Sequence, residues 1–238
     1  MNGSFSRTAL VLGDRAMERL AKAHVAVLGL GGVGGYAVEA LARSGVGALT
    51  LIDQDEVGET NLNRQLLATT DTLGKPKAQA AAERVLSINP ACAVRPWVFR
   101  YCADTREEFF ATRYDYIVDC IDLVSCKLDL IETALSRGVP IISALGTGNK
   151  VDATQFRVAD ISKTSGCHLA RIIRKELGRR GIRHHKVVFS PELPQKAQAA
   201  DEAPPPGRRD LPGSVAWVPG CAGLILGGQV VMDLCQQA

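Results

Sequence analysis

Up to Ala144 the apolar residues of this chain fall into short unbroken runs, separated by stretches in which they recur every three or four positions. The runs at 24–29, 48–52, 94–98, 115–119 and 140–144 predict strands. They lack polar alternation, which is the pattern of strands covered on both faces. Residues 33–44, 75–88, 105–111 and 124–137 have helical spacing, with Val38, Leu41 and Ala42 on one face of the first. Asp14 is expected to cap a short helix running to residue 22, and Pro76 opens the 75–88 helix in its first turn. Strands alternating with helices predict an α/β fold: a Rossmann-like, doubly wound, mostly parallel sheet with helices on both faces. Ligands of such sheets lie at the C-terminal ends of the strands. Asp53, Asp119 with Asp122, and Thr147 all fall at such ends.

After residue 149 the pattern changes. Strands are expected at 154–158, 187–189 and 214–218, and helices at 167–177 and 222–234. A Pro-, Ala- and charge-rich stretch at 191–212 is read as a flexible loop. The 238 residues fit one elaborated domain: a nucleotide-binding core at 7–149, and a mixed, substrate-side extension at 150–238. Residues 211–232 lack Asp, Glu, Lys and Arg and are long enough to span a membrane. Pro212, Pro219 and five glycines interrupt the stretch, so it is read as a buried strand and a core helix, with no membrane span.

A net charge of +3 does not announce nucleic acid, but its distribution is uneven. Residues 168–186 hold seven Arg or Lys against one Glu. The seven cysteines are scattered, with no C-x-x-C pair. That argues against a disulfide framework and a four-cysteine zinc site, and for a reducing, cytoplasmic compartment. The N-terminus shows no apolar leader.

The candidate chemistry is concentrated in a few places. Gly29-x-Gly31-x-x-Gly34, with Gly32 inside it, lets backbone N–H groups approach a phosphate at a helix start. Taken alone, the motif fits NAD as well as ATP, or a tight packing turn. Asp53, at the end of the second strand, suits ribose hydroxyls in either case. The following Asp55, Asn61, Asn63, Arg64 and Gln65 discriminate, because a dehydrogenase does not need them and a triphosphate does. Arg64 offers a planar fork for phosphate oxygens. Lys77, in the first turn of its helix, either reaches the same triphosphate or is an ordinary surface lysine. Asp122 suits Mg2+ or a helix cap. Arg171, Arg174, Lys175, Arg179, Arg180 and Arg183 form either a solvated helix face or a surface for a phosphate backbone. Cys120 reads as buried core.

As a set, GLGGVGG, LIDQDEVGETNLNRQ, GKPK and DCID resemble the ubiquitin-activating-type (ThiF-like) adenylating enzymes. That superfamily includes the molybdopterin- and thiamine-pathway adenylyltransferases. The resemblance implies ATP at the glycine turn and transfer of AMP to a carboxylate. It implies Asp53 as the ribose acid, Asn61 and Arg64 as phosphate ligands, Lys77 as the triphosphate lysine and Asp122 as the magnesium aspartate. It also implies that Arg7 is lent across a homodimer interface to the partner's ATP, so that Arg7, Arg64 and Lys77 serve catalysis.

GTGNKVDATQFRVADISKTSGCHLARIIRKELGRRGI and LPGSVAWVPGCAGLI are similar to the branch that dehydrates threonylcarbamoyladenosine in tRNA. In that branch ATP activates the threonine carboxylate of the modified adenosine beside the anticodon. The carbamoyl group then closes a ring and expels AMP. The basic helix becomes a candidate surface for the tRNA, and a sulfur-transfer partner is left open. Three alternatives stand beside this reading: an adenylyltransferase acting on the Gly-Gly tail of a sulfur-carrier or ubiquitin-like protein, an NAD-dependent oxidoreductase, and a non-catalytic RNA-binding protein.

Overall fold

A computed structural model of the chain describes residues 3–196 and 212–236. The strands β1 (His24–Leu28), β2 (Ala48–Ile52), β3 (Ala93–Trp97), β4 (Tyr116–Asp119) and β5 (Ile141–Ala144) are parallel and match the expected positions closely. With β6 (Arg157–Asp160) and β7 (Lys186–Phe189) they make one seven-stranded sheet in the order β3-β2-β1-β4-β5-β7-β6. Only β6 runs antiparallel, against β7. Chain order reverses between β1 and β4, the switch point where α/β sheets open a crevice. The register aligns Leu28 with both Ile52 and Asp119, so Gly29, Asp53 and Cys120 leave the sheet side by side.

One face of the sheet is covered by α2 (Asp14–Lys22), α3 (Gly34–Arg43), α4 (Lys77–Ile88) and α8 (Trp217–Gln236). The other is covered by α5 (Arg106–Phe110), α6 (Val124–Ser136) and α7 (His168–Arg179). Buried Val, Leu and Ile of the strands face both layers, as their unbroken apolar runs require. An additional helix, α1 (Ser6–Leu12), precedes α2 and was not anticipated. Gly13, at φ 82°, separates the two, and Asp14 is the first residue of α2 instead of its cap.

Two expected strands are corrected. Asp152 accepts a bond from the Thr154 N–H and winds residues 153–155 into a short 3-10 turn, so the strand expected at 154–158 forms at Arg157–Asp160. The strand expected at 214–218 does not form, because α8 already begins at Trp217. Pro219 stands in the first turn of α8, where a missing N–H breaks no helical bond. By length and composition α8 could cross a membrane, with 20 residues and mean hydropathy 1.5. It instead buries Val218, Ala222, Leu226, Val230 and Leu234 in the core against α3. Contact there is backbone-close: a Cβ on Gly223 would lie 2.2 Å from the Val33 carbonyl oxygen. The loop expected at 191–212 lies for its greater part, residues 197–211, outside the described residues. The segments on either side of it are both tied to residue 149. Gln195 N–H donates to the Asn149 carbonyl at 2.6 Å, and Gly213 N–H donates to Asn149 Oδ1 at 2.6 Å.

Candidate active site

The glycine turn connects β1 to α3. Gly29 has φ 86°, and a Cβ there would lie 2.6 Å from the Cys120 carbonyl oxygen. A Cβ on Gly34 would lie 1.8 Å from the Gly29 carbonyl oxygen. Both positions therefore exclude a side chain, and the turn presses directly against the loop after β4. Asp53 fastens this turn to the acidic loop: Oδ2 accepts the Leu30 N–H at 2.6 Å and Oδ1 accepts the Asp55 N–H at 2.9 Å. Each oxygen keeps a second lone pair that a ribose hydroxyl can use. Burial pushes the Asp53 carboxyl above its ordinary pKa, and the charge of Lys77 works against that rise.

The acidic loop is pinned along its length. Val57 N–H donates to the Lys75 carbonyl at 2.9 Å, and Lys77 N–H donates to the Asp55 carbonyl at 2.9 Å. Lys77 is no surface lysine: it is 6% exposed, and its ammonium lies 3.1 Å from Asp55 Oδ2. The loop carries this cation to the same corner as Asp53, as a triphosphate site requires.

Asn61 Oδ1 accepts the Gly58 N–H at 3.1 Å, and the Asn61 carbonyl accepts from the N–H groups of both Arg64 and Gln65. That turn sets Arg64 and Gln65 beside the glycines. Cβ atoms built on Gly32 and Gly31 would lie 3.6 Å from Arg64 Cγ and 3.7 Å from Gln65 Nε2 respectively. The Arg64 guanidinium rests on the Thr60 carbonyl (2.7 Å) and on Asn63 Oδ1 (2.8 Å). Asn63 Nδ2 donates to the Ser214 carbonyl at 3.0 Å, so this amide stands behind Arg64 and holds it to the segment leading into α8.

Asp122 is exposed on the loop after β4, two residues beyond the point where Cys120 meets Gly29. Among the described residues no group of three or more His, Cys, Asp or Glu is placed to hold a metal ion by itself. One strand-end carboxylate fits Mg2+, which is commonly held by one or two carboxylates together with phosphate oxygens. Cys120 is half-buried, and burial pushes its thiol pKa up, which disfavours a thiolate there.

Arg7 is not brought to this site within one chain. Phe5, at the start of α1, lies 3.4 Å from where a Cβ on Gly45 would be, just past the C-terminal end of α3. The glycine turn is at the opposite end of that ten-residue helix, about 15 Å away. The basic helix is brought nearer. A cavity of about 320 Å³ at the start of α7 is lined by Ser165, Cys167, His168, Arg171 and Arg174. It adjoins the loop after β5, where a Cβ on Gly146 would lie 3.3 Å from Cys167 Sγ.

The six cations of this helix region are not equivalent. Arg174 is half-buried and spends its guanidinium on the Thr164 carbonyl at 2.8 Å. Arg179 and Arg180 pair with Glu176, and Arg180 also with Glu132. Arg171, Lys175 and Arg183 are exposed.

Sequence reasoning missed three features. Trp97 and Phe99 stack with centroids 4.2 Å apart, where the Asp53 backbone bonds to both residues. Asn149 holds a left-handed turn at φ 58°. Lys127 is fully buried against Asp119. The DCID motif pointed to the last of these only through its first carboxylate.

The glycine turn, Asp53, the buried Lys77 and Arg64 meet at the switch point of a mostly parallel, doubly wound sheet, the architecture of the nucleotide-binding α/β class. The chain belongs to the ThiF family, whose model matches residues 5–230. It is 44% identical to the tRNA threonylcarbamoyladenosine dehydratase of Bacillus subtilis, over 97% of this chain and 94% of that one. It is similar in structure to the Escherichia coli tRNA N6-threonylcarbamoyladenosine dehydratase in complex with ATP. The TM-score is 0.87 at 34% identity, covering 97% of this chain and 93% of that one. The molybdopterin-synthase adenylyltransferase of Escherichia coli is 34% identical over only 60% of this chain and 57% of its own length.

Proposed function

We propose that this chain is an ATP-dependent dehydratase of threonylcarbamoyladenosine in tRNA. The observation that carries the reading is 44% identity to the Bacillus subtilis dehydratase along 97% of the chain. That likeness takes in nearly the whole chain, whereas the one to the molybdopterin-synthase adenylyltransferase takes in 60% of it.

An oxygen of the threonine carboxylate attacks the α-phosphorus of ATP, and pyrophosphate departs. The carboxylate is a poor electrophile, and the acyl adenylate gives it a leaving group. An internal nitrogen or oxygen of the carbamoyl group then attacks the acyl carbon, closes the ring and releases AMP. The oxygen of the formal water leaves on AMP.

The chain's own residues orient and neutralise. Asp53 accepts ribose hydroxyls, while the glycine-turn N–H groups and the start of α3 face phosphate. Arg64 and Lys77 offset charge growing on the α-phosphate and the departing pyrophosphate. Asn61 and Asn63 hold the loop that presents Arg64, and Gln65 backs the turn. Asp122 is the residue that would hold Mg2+, which supplies further charge neutralisation when bound. A substrate-borne nucleophile fits a site beside which the Cys120 thiol has its pKa raised by burial.

Residues 7–149 form the ATP-binding half, and 150–238 the substrate side. The cavity at the start of α7, with Arg171 and Lys175 on the exposed helix face, suits the phosphate backbone of the tRNA arm. A homodimer completes the site. Arg7, Leu10 and Val11 share one face of α1, and the two apolar residues are 80% and 83% exposed. That face fits a second subunit, which would receive Arg7 at its nucleotide. Seven free cysteines fit a cytoplasmic setting.

The test is incubation with ATP, Mg2+ and threonylcarbamoyladenosine-bearing tRNA, followed by nucleoside mass spectrometry. Loss of one water from the modified nucleoside, with AMP formed, is expected. AMP formation only with a Gly-Gly-tailed carrier protein would move the chain to the carrier-activating branch.

A further inference from the structure

We propose that Lys127, with Asp119, Ser143 and His185, is a positioning unit that fixes the strand-end loops around the nucleotide, and with them the Asp122 carboxylate. The proposal rests on the ATP and Mg2+ site described above and assigns work to residues that site does not touch.

Lys127 lies in the first turn of α6, yet both it and Asp119 have fully buried side chains. Its ammonium donates to Asp119 Oδ2 at 2.6 Å and to the Ala144 carbonyl at 3.1 Å. One cation therefore joins the C-terminal ends of β4 and β5, the strands from which the Asp122 and Thr147 loops depart. Asp119 passes the constraint on: its Oδ1 accepts the Ile121 N–H at 3.0 Å, which sets the residue before Asp122. Cys120, between them, donates its N–H to the Leu28 carbonyl at 2.8 Å and packs its own carbonyl on Gly29. Three pieces of the site thus converge on this pair: the glycine turn, the Asp122 loop and the loop after β5.

The remaining valences of Asp119 are also committed. Ser143 Oγ–H donates to Asp119 Oδ2 at 2.6 Å, and the hydroxyl oxygen is 2.7 Å from His185 Nε2. Burial and the nearby Lys127 charge hold His185 down to about 3, so it is a neutral imidazole and donates through Nε2–H. A buried pair of this kind is poor evidence of net stabilisation, since apolar replacements of similar volume are often as stable. What apolar residues cannot do is bond two strand ends and a turn N–H in fixed directions.

The test uses the full-length chain carrying Asp119→Asn with Lys127→Met, which removes both charges and keeps the side-chain volumes. Calorimetric titration with ATP across a Mg2+ series, and ATP–pyrophosphate exchange with modified tRNA, are read beside thermal unfolding. Expected are a Tm close to wild type and ATP affinity without Mg2+ changed less than threefold. The Mg2+ requirement should rise at least tenfold, and kcat should fall at least tenfold with little change in the KM for ATP. A folded double variant with the wild-type Mg2+ requirement overturns the proposal.

If that variant does not fold, Ser143→Ala decides: a several-fold rise in the Mg2+ requirement is expected, and none overturns it. Wild type that binds ATP without Mg2+ dependence also overturns it. Wild type with Mg2+-dependent ATP binding but no tRNA turnover refutes the assigned substrate alone, and the titrations still decide the positioning role.

Discussion

Lys77→Met separates the chemistry of this site from its architecture. The lysine stem is buried, whereas its partner Asp55 keeps 57% of its side-chain surface in water. Removing the ammonium therefore leaves Asp55 solvated and takes from Asp53 only a through-space attraction, since no hydrogen bond joins those two groups. A pair so exposed on one side contributes at most about 1 kcal/mol to stability. Methionine preserves the stem, and volume-conserving swaps cost less than about 1.5 kcal/mol. Together, at about 2.5 kcal/mol, these limit the change in Tm to about 5–10 °C in a domain of this size. Loss of one preorganised group opposite a developing oxyanion costs about 10²–10³ in rate. The variant should therefore unfold cooperatively within that window while ATP–pyrophosphate exchange falls about 10²–10³-fold. Exchange and scanning fluorimetry on the same preparation make the comparison. Exchange within threefold of wild type would refute the role of Lys77. A collapse of Tm would instead make its burial a structural matter.

Other outcomes follow from the same geometry. Burial raises the Asp53 carboxyl above its unfolded-chain value, so its ionisation in the fold costs stability that is recovered as pH falls toward the unfolded pKa. Ribose needs the ionised form, so ATP affinity should drop as pH falls through the raised value, and Lys77→Met should move that limb upward. A calorimetric profile flat into the ordinary aspartate range counts against Asp53 as the ribose acid. Gly34→Ala drives a methyl into the Gly29 carbonyl and should abolish ATP binding, with at least about 3 kcal/mol lost in denaturant melts; a normal melt would contradict the packed turn. Arg171→Glu with Lys175→Glu should weaken tRNA binding and lower the salt slope by about 1–2; Arg174 is a poorer probe because Thr164 already holds it. Arg7→Ala and Lys77→Met, each inactive alone, should regain activity on mixing, because the mixed dimer contains one intact site; no recovery would place Arg7 outside the partner's site.

Much of the site was legible because backbone demands leave marks in sequence. Gly29 and Gly34 stand where no Cβ fits, and Asp53 directly follows the apolar run of β2, where the acidic loop begins. Arg64 and Gln65 follow from a tight turn that their own neighbours build. What was not legible depended on tertiary context. Lys77 looks like any helix-start lysine, and its burial comes from the ladder that folds residues 55–57 over 74–77. Lys127 has no periodic signature, because a lysine on an amphipathic helix ordinarily points outward. The 214–218 run is apolar enough for a strand, but the small faces of α3 and α8 let a helix start earlier and pack closer. β6 moved because Asp152 stabilised a local turn that competed with sheet pairing.

The contact between Gly223 of α8 and the Val33 carbonyl has a consequence for how this protein is made. The start of α3, which presents the phosphate turn, is backed by residues translated some 190 positions later (from Val33 to Gly223). While the ribosome still holds α8, the emerging first half has its glycine turn and Asp53 but lacks the surface that backs the start of α3. Competence to bind ATP should arrive only once α8 is made, so a product ending before Trp217 would carry the glycine turn, Asp53, Arg64 and Lys77 and still be inert.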